Sequence, residues 1–257
     1  MPRHLHYVEP FAGGLAVLLE RDPNDKRLWM SEDGNRGGVS EVANDLNGEL
    51  MNFWRVLQRR DAFAAFQQQV GVTPLSHEEF NRAQRRILLE EIDINHAVKF
   101  FVAARQSRAG TFRGFTSLTR SRTRRGINGN ASEWLGAVEG LPAVHARLLP
   151  VVVENMDAMK LIPREDTPDT LFYCDPPYLH ETRATKDAYA CEMTSAEHAK
   201  LLRVLQSCKG KVMLSGYHSS LYDAALSSWR CEEFDLPNNA AGGNEKRRMT
   251  ECLWMNF

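Results

Sequence analysis

Apolar positions in this chain alternate between short continuous runs and helical spacing. Residues 5–8 form a short apolar run, 10–14 a glycine turn and 15–20 the start of a helix, so the chain opens as strand, turn, helix. Residues 39–43 carry a weaker strand pattern that ends in Asn44-Asp45-Leu46-Asn47. Helical spacing follows at 49–58, where Leu50, Phe53, Trp54 and Leu57 recur on one face. It continues at 61–69 and from 77 to about 106, and a loop-rich stretch comes next. Residues 25–38, with Gly34, Gly37 and Gly38, read as an extra hairpin. After Pro150, buried strands are predicted at 151–154, 171–174 and 212–215, helices near 195–206 and 218–227, and two closing strands at 230–236 and 250–257. This alternation predicts an α/β domain with a parallel-type sheet over 1–58 and 145–257, split by a mostly helical insertion at 59–144.

A chain of 257 residues, 43% hydrophobic, can bury a substantial core. No run approaches the ~18 consecutive apolar residues of a membrane span, and residues 1–6 lack the apolar run of a secretory signal, so a cytoplasmic protein is expected. The five cysteines (Cys174, Cys191, Cys208, Cys231 and Cys252) are widely spaced, without a C-x-x-C pair, and read as reduced thiols with no metal. A net charge of -1 argues against a polyanion partner, but the distribution reverses that inference. Between Asp93 and Glu133 there is no acidic residue, while Lys99, Arg105, Arg108, Arg113, Arg120, Arg122, Arg124 and Arg125 all lie there. Phe112 and Phe115 are interleaved with Gly110, Arg113 and Gly114, and Ser107, Thr111, Ser117, Thr119 and Asn128 add hydrogen-bonding groups. Cations for phosphates, aromatics for bases and small polar groups for base edges make this segment a candidate nucleic-acid surface.

Two motifs carry candidate chemistry. Tyr7-Val8-Glu9-Pro10-Phe11-Ala12-Gly13-Gly14 ends the opening strand, where glycines let backbone approach a ligand closely. An ordinary tight turn would use the same glycines. Asp45, at the end of the next strand, suits the ribose hydroxyls of a nucleoside cofactor and equally suits an N-cap for the helix that follows. The sharper motif is Asp175-Pro176-Pro177-Tyr178, directly after the apolar strand 171–174. Two prolines hold an extended path and donate no backbone hydrogen bond. An aromatic amine is a poor nucleophile because its lone pair is delocalised into the ring. Accepting both amino protons on the Asp175 carboxylate and the Pro176 carbonyl favours a pyramidal nitrogen and stabilises the positive charge that grows on it. Tyr178 can stack on the base and hold it in line.

These residues resemble the Dam-type, or D12-class, adenine-specific DNA methyltransferases. The likeness rests on Val8-Glu9-Pro10-Phe11-Ala12-Gly13-Gly14, Asn44-Asp45-Leu46-Asn47, Glu154-Asn155-Met156-Asp157 and Tyr173-Cys174-Asp175-Pro176-Pro177-Tyr178, in family order across nearly the whole chain. It implies a Rossmann-like S-adenosylmethionine-dependent methyltransferase sheet carrying an inserted, mostly helical target-recognition domain. By resemblance, Tyr7, Glu9, Pro10, Phe11, Ala12, Gly13, Gly14, Asp45 and Leu46 would cradle the cofactor, with Asn155, Met156 and Asp157 near its adenine and Asp175 beside it. Asp175, Pro176, Pro177 and Tyr178 would be catalytic, and Arg105, Arg108, Phe112, Arg113, Phe115, Arg120, Arg122, Arg124, Arg125 and Asn128 would bind double-stranded DNA. A flipped adenine would receive the methyl at N6. The sequence departs from the family in lacking a K-W-A-G-G-K-like segment among the six residues before Tyr7, and its insertion follows the family only in Gly110, Arg113-Gly114 and Gly126-Ile127-Asn128.

Other readings compete. RNA offers the same amino groups as DNA. A cytosine N4 methyltransferase typically has Ser where Asp175 stands. A catalytically silent DNA-binding protein would fail to bind S-adenosylmethionine. A dehydrogenase is disfavoured because the turn is not G-x-G-x-x-G. Monomer and homodimer both remain open.

Overall fold

A computed structural model describes residues 1–29, 38–83, 92–116, 120–182, 190–237 and 248–257. Two compact units emerge: Met1–Asn47 with Val151–Phe257, and Gly48–Pro150.

The first unit is built on a seven-stranded sheet. Its strands are β1 (His6–Glu9), β2 (Ser40–Asn44), β5 (Val152–Glu154), β6 (Thr170–Cys174), β7 (Lys211–Tyr217), β8 (Arg230–Pro237) and β9 (Arg248–Met255), in the spatial order β5-β2-β1-β6-β7-β9-β8. The first five pair in parallel, and β9 runs antiparallel to both β7 and β8. The chain moves outward from β1 through β2 to β5 on one side, then returns to lay β6 and β7 on the other. The strand order therefore reverses between β1 and β6, where an open α/β sheet leaves a crevice at the carboxyl ends of its strands. Both sequence motifs sit at that point.

Burial explains why these runs become strands. Val8, Phe172, Val212 and Leu214 are fully buried on the central strands and pack with Leu161, Ile162, Leu201 and Leu205 from the helices α9 (Ala158–Glu165) and α10 (Ser195–Gln206). A capping box starts α10, with the Thr194 hydroxyl accepting from the Glu197 amide and the Glu197 carboxylate accepting from the Thr194 amide. The short α1 (Ala16–Glu20) follows the glycine turn, and α11 (Ser220–Ala225) follows β7 behind a Ser219 cap.

The second unit is helical: α3 (Gly48–Gln58), α4 (Arg60–Val72), α5 (His77–Ala83), α6 (Ile94–Gln106), α7 (Gly129–Glu139) and α8 (Leu141–Leu148), with a two-strand ribbon of β3 (Thr123–Arg124) and β4 (Ile127–Asn128). Phe53, Phe66, Phe101 and Trp134 meet at its centre, and the Trp134 indole donates to the Thr73 carbonyl at 3.0 Å.

The structure departs from the sequence expectations in several places. Lys26–Trp29 is a helical turn, α2, rather than one arm of a hairpin, and residues 30–37 lie outside the described residues. The stretch expected as helix from 77 to 106 contains α5 and α6, and residues 84–91 lie outside the described residues. Where loop was expected after the basic segment, α7 and α8 form; α7 is capped by Asn128, and α8 has Pro142 in its first turn. The helix α9, capped by Asp157, was also unforeseen. The unit boundaries fall at 47/48 and 150/151 rather than 58/59 and 144/145, because α3 packs on α4, α6 and α8 within the helical unit.

Candidate active site

The site is assembled at the carboxyl ends of the five parallel strands, with one residue from the antiparallel β9. From β1 the chain enters the turn Pro10-Phe11-Ala12-Gly13-Gly14, where Gly13 has φ +46° and a side chain added at either glycine would meet nothing within 4 Å. The open surface above this turn can admit a ligand to backbone distance. At the end of β2 the fully buried Asn44 ties the neighbouring turns together. Its amide donates to the Pro10 carbonyl at 2.9 Å and to the Met156 carbonyl at 3.0 Å, and its oxygen accepts from the Met156 amide at 2.9 Å. One side chain thus sets the register between the turns that follow β1 and β5.

Asp45 accepts from the Gly13 amide at 3.1 Å and from the Asn47 amide at 2.9 Å. Because α3 begins at Gly48, the bond to Asn47 closes a turn ahead of the helix and Asp45 is not its N-cap. Asn155 donates to the Asp45 carbonyl at 2.7 Å, Leu46 stands 60% exposed, and Phe11 and Met156 are half-buried against the sheet core. Asp157 caps α9 through the Met159 amide at 2.8 Å.

Tyr7 takes a different place from the one expected of a cofactor contact. Its side chain is fully buried, its hydroxyl donates to Glu9 at 2.7 Å, and the Arg21 guanidinium lies 4.3 Å from its ring centroid. Arg21 in turn pairs with the buried Glu41 at 2.7 Å. Tyr7 therefore meets the start of the turn through its bond to Glu9. Pro10 and Ala12 are also buried and shape the turn with their backbone, Ala12 donating to the Asn44 carbonyl at 2.7 Å.

Glu9 is a carboxylate held near neutrality. Burial pushes it up to about 7, aided by the charge of Asp175 and opposed by hydrogen bonds from the Tyr7 hydroxyl and the Leu18 backbone. The folded value lies above the unfolded one, so Glu9 contributes stability that is complete below about pH 4.5 and is lost as pH rises through about 7. We predict that Glu9→Gln abolishes this component. Between about pH 5 and pH 8 the wild-type chain should lose stability relative to the variant in urea melts, and parallel curves would contradict the assignment.

From β6 the chain runs into Asp175-Pro176-Pro177-Tyr178. Asp175 stands exposed at the mouth of the site, and loss of hydration raises its carboxyl above the usual range, against the hydrogen bond it accepts from Ser215. The Ser215 hydroxyl, from β7, donates to Asp175 at 2.7 Å. The Tyr178 hydroxyl donates to Glu251 of β9 at 3.0 Å, and its ring meets the Tyr217 ring edge-on with centroids 4.8 Å apart. Both tyrosine contacts hold the ring before any base arrives. Pro176 is buried and Pro177 half-buried.

A family model for the D12 class N6 adenine-specific DNA methyltransferases matches residues 1–241. The chain belongs to that family. No curated protein matches it. D12 methyltransferases use S-adenosylmethionine, and the site fits that group. The glycine turn is open, the carboxylates of Asp45 and Glu9 suit hydroxyl and ammonium donors, and Phe11, Leu46 and Met156 supply apolar surface for a purine ring. Ser215, Glu251, Tyr217 and Asn44's bridging role were not anticipated from sequence. Ser215 carried a faint signal as a polar residue closing an apolar strand, and Glu251 carried none, since its partner Tyr178 is 73 positions away.

In the helical unit, Arg105, Arg108, Arg113, Arg120, Arg122, Arg124 and Arg125 are all exposed. Their partners differ. Arg125 is 2.7 Å from Glu139 and Arg124 is 3.9 Å from Glu133. Arg105 lies 5.9 Å from the Phe101 ring and, with Ser107, Thr116, Asn130 and Trp134, lines a cavity of about 400 Å³. Residues 106–116 close into a loop, with Arg108 donating to the Gly114 carbonyl at 2.9 Å and Thr116 to the Gln106 carbonyl at 2.8 Å. Positive φ at Gly110, Phe112 and Gly114 bends it. Phe112 is 37% exposed, whereas Phe115 is half-buried against His77 and Phe80. Asn128 accepts from the Asn130 and Ala131 amides as the cap of α7. Ser117 and Thr119 lie outside the described residues. Among the described residues, no helix is long and apolar enough to cross a membrane.

Proposed function

We propose that the chain methylates N6 of an adenine flipped out of double-stranded DNA, with Asp175 and the Pro176 carbonyl accepting the two amino protons. The observation that carries this reading is the position of Asp175 at the carboxyl end of β6, beside the open glycine turn of β1, with Ser215 fixing its carboxylate. Bound S-adenosylmethionine supplies a methyl carbon that its sulfonium makes electrophilic. Glu9, Phe11, Gly13, Gly14, Asp45, Leu46, Asn155 and Met156 would hold it. Asp175 withdraws the amino protons from the plane of the purine, which localises the nitrogen lone pair and lowers the cost of the charge developing there. Its raised carboxyl then suits it to retain a proton that the product amine sheds. Tyr178, held by Glu251 and Tyr217, provides a preset face for the purine, so little ordering remains to be done when the base enters.

The unit Gly48–Pro150 is the target-recognition domain in this reading, and its arginines meet phosphates. Neutralising Arg113, Arg120 and Arg122 is predicted to weaken DNA binding uniformly across sequences and to reduce the salt slope by about one for each phosphate left without its cation. Neutralising Arg124 and Arg125, already paired with glutamates, should change it less. Equal slopes for the first variant and wild type would remove these arginines from the interface.

Base flipping has its own test. Methylated adenines are first mapped in treated DNA, and 2-aminopurine then replaces a mapped adenine in a duplex. The reading expects its fluorescence to rise on adding protein with a non-reactive cofactor analogue. Unchanged fluorescence with demonstrated binding would contradict it.

A further inference from the structure

A second constellation lies at the far end of the sheet, on side chains the proposed methyl transfer does not use. In the β8–β9 ladder, Cys231 pairs with Trp254 and Glu233 pairs with Cys252. Side chains two apart on a strand share a face, so Cys231, Glu233 and Cys252 stand together on one face, with the two cysteines as diagonal neighbours. His218, the residue after β7, turns onto the same spot, its ring edge-on to Trp254 at 5.8 Å. The ligand atoms of His218, Cys231 and Cys252 all lie within 4.8 Å of one another.

The surroundings of the imidazole strengthen the case. Asp223 Oδ1 stands 2.7 Å from Nδ1 of His218, and Glu233 Oε1 stands 3.3 Å from Nε2. A carboxylate on one ring nitrogen fixes the orientation of the ring and raises the basicity of the other, which is how metal-bound histidines are commonly supported. Two sulfurs, one supported imidazole nitrogen and a nearby carboxylate form the soft, mixed donor set of a tetrahedral zinc-class ion.

We propose that Cys231, Cys252 and His218 bind one divalent transition-metal ion of the zinc class, with the Glu233 carboxylate at hand for the fourth position. Coordination displaces one proton from each thiol to solvent, leaving two metal–thiolate bonds and no change of oxidation state. The ligands come from the end of β7, from β8 and from β9, so the ion clamps three strands. Glu251 and Cys252 are consecutive on β9 and point to opposite faces of the sheet. The ion therefore touches no reacting group, and it holds the strand from which Glu251 reaches Tyr178.

The test uses the full chain, reduced and stripped with a chelator, then titrated with Co2+. One equivalent should bind with a thiolate-to-cobalt charge-transfer band and the intense visible bands of tetrahedral cobalt, and Zn2+ should displace it. Cys231→Ser should lose about half of the charge-transfer intensity, and His218→Gln should weaken Co2+ binding roughly tenfold or more. Each variant is first checked for folding by its melting curve. Cys252 is buried and its replacement could unfold the chain, so the decisive variants are Cys231→Ser and His218→Gln. A charge-transfer band that is absent, or unchanged in Cys231→Ser, overturns the site. So does a Cys231–Cys252 disulfide with no bound metal in chain purified without reductant.

Discussion

Replacing Asp175 with alanine is expected to lower the methyl-transfer rate about 10²–10³-fold, the usual cost of removing one preorganised group that stabilises developing charge. Affinity for S-adenosylmethionine should change far less, because the groups that would hold it belong to the ends of β1, β2 and β5. The expectation rests on placement and on charge. Asp175 is positioned by Ser215 and its carboxyl is raised above the usual range by loss of hydration, so it is costly to keep ionised and is fully used only when amino protons reach it. The same elevation means that acidification should slow wild-type turnover starting at a higher pH than an exposed aspartate would give. Single-turnover rates and equilibrium cofactor binding, measured on the same preparation, separate the two effects. An alanine variant that keeps its rate would remove Asp175 from the chemistry, and one that loses cofactor binding in proportion would make it a binding residue.

The second large effect is expected at Asn44. Its side chain makes three hydrogen bonds to backbone groups of two turns and has no exposed surface. Asn44→Leu keeps the approximate volume but strands those partners, each at about 1–3 kcal/mol. A total on the order of 4 kcal/mol corresponds to a fall in Tm of roughly 10 °C for a protein of this size. Cofactor affinity should fall with it, because the glycine turn and the 155–157 turn lose their common anchor. A melting temperature within about 2 °C of wild type would show that the turns are held in some other way.

Sequence patterning revealed most of the sheet because central parallel strands are buried on both faces and therefore read as apolar runs. The runs at 171–174 and 212–215 appear in the structure as Thr170–Cys174 and Lys211–Tyr217. It served less well where tertiary contacts decide the conformation. The helix Gly129–Glu139 carries two glycines, which weaken a helical reading, and it is held by an Asn128 cap and by Trp134 packing on Phe101. The helix Ala158–Glu165 carries a proline in its interior and is too short to announce itself by period. In the site, Asp175 and the glycine turn could be read from local motifs. The contacts of Ser215, Glu251 and Asn44 could not, because their partners lie 40, 73 and 112 positions away and nothing local encodes such pairings. Tyr7 shows the converse limit. It lies within the motif, yet its ring is fully buried and its hydroxyl is taken up by Glu9.

The most direct test of the account is to incubate the chain with methyl-labelled S-adenosylmethionine and unmethylated duplex DNA, digest the DNA to nucleosides and identify the labelled one. The account predicts label in N6-methyldeoxyadenosine. Label in N4-methyldeoxycytidine, or none in DNA while RNA is labelled under the same conditions, would contradict it.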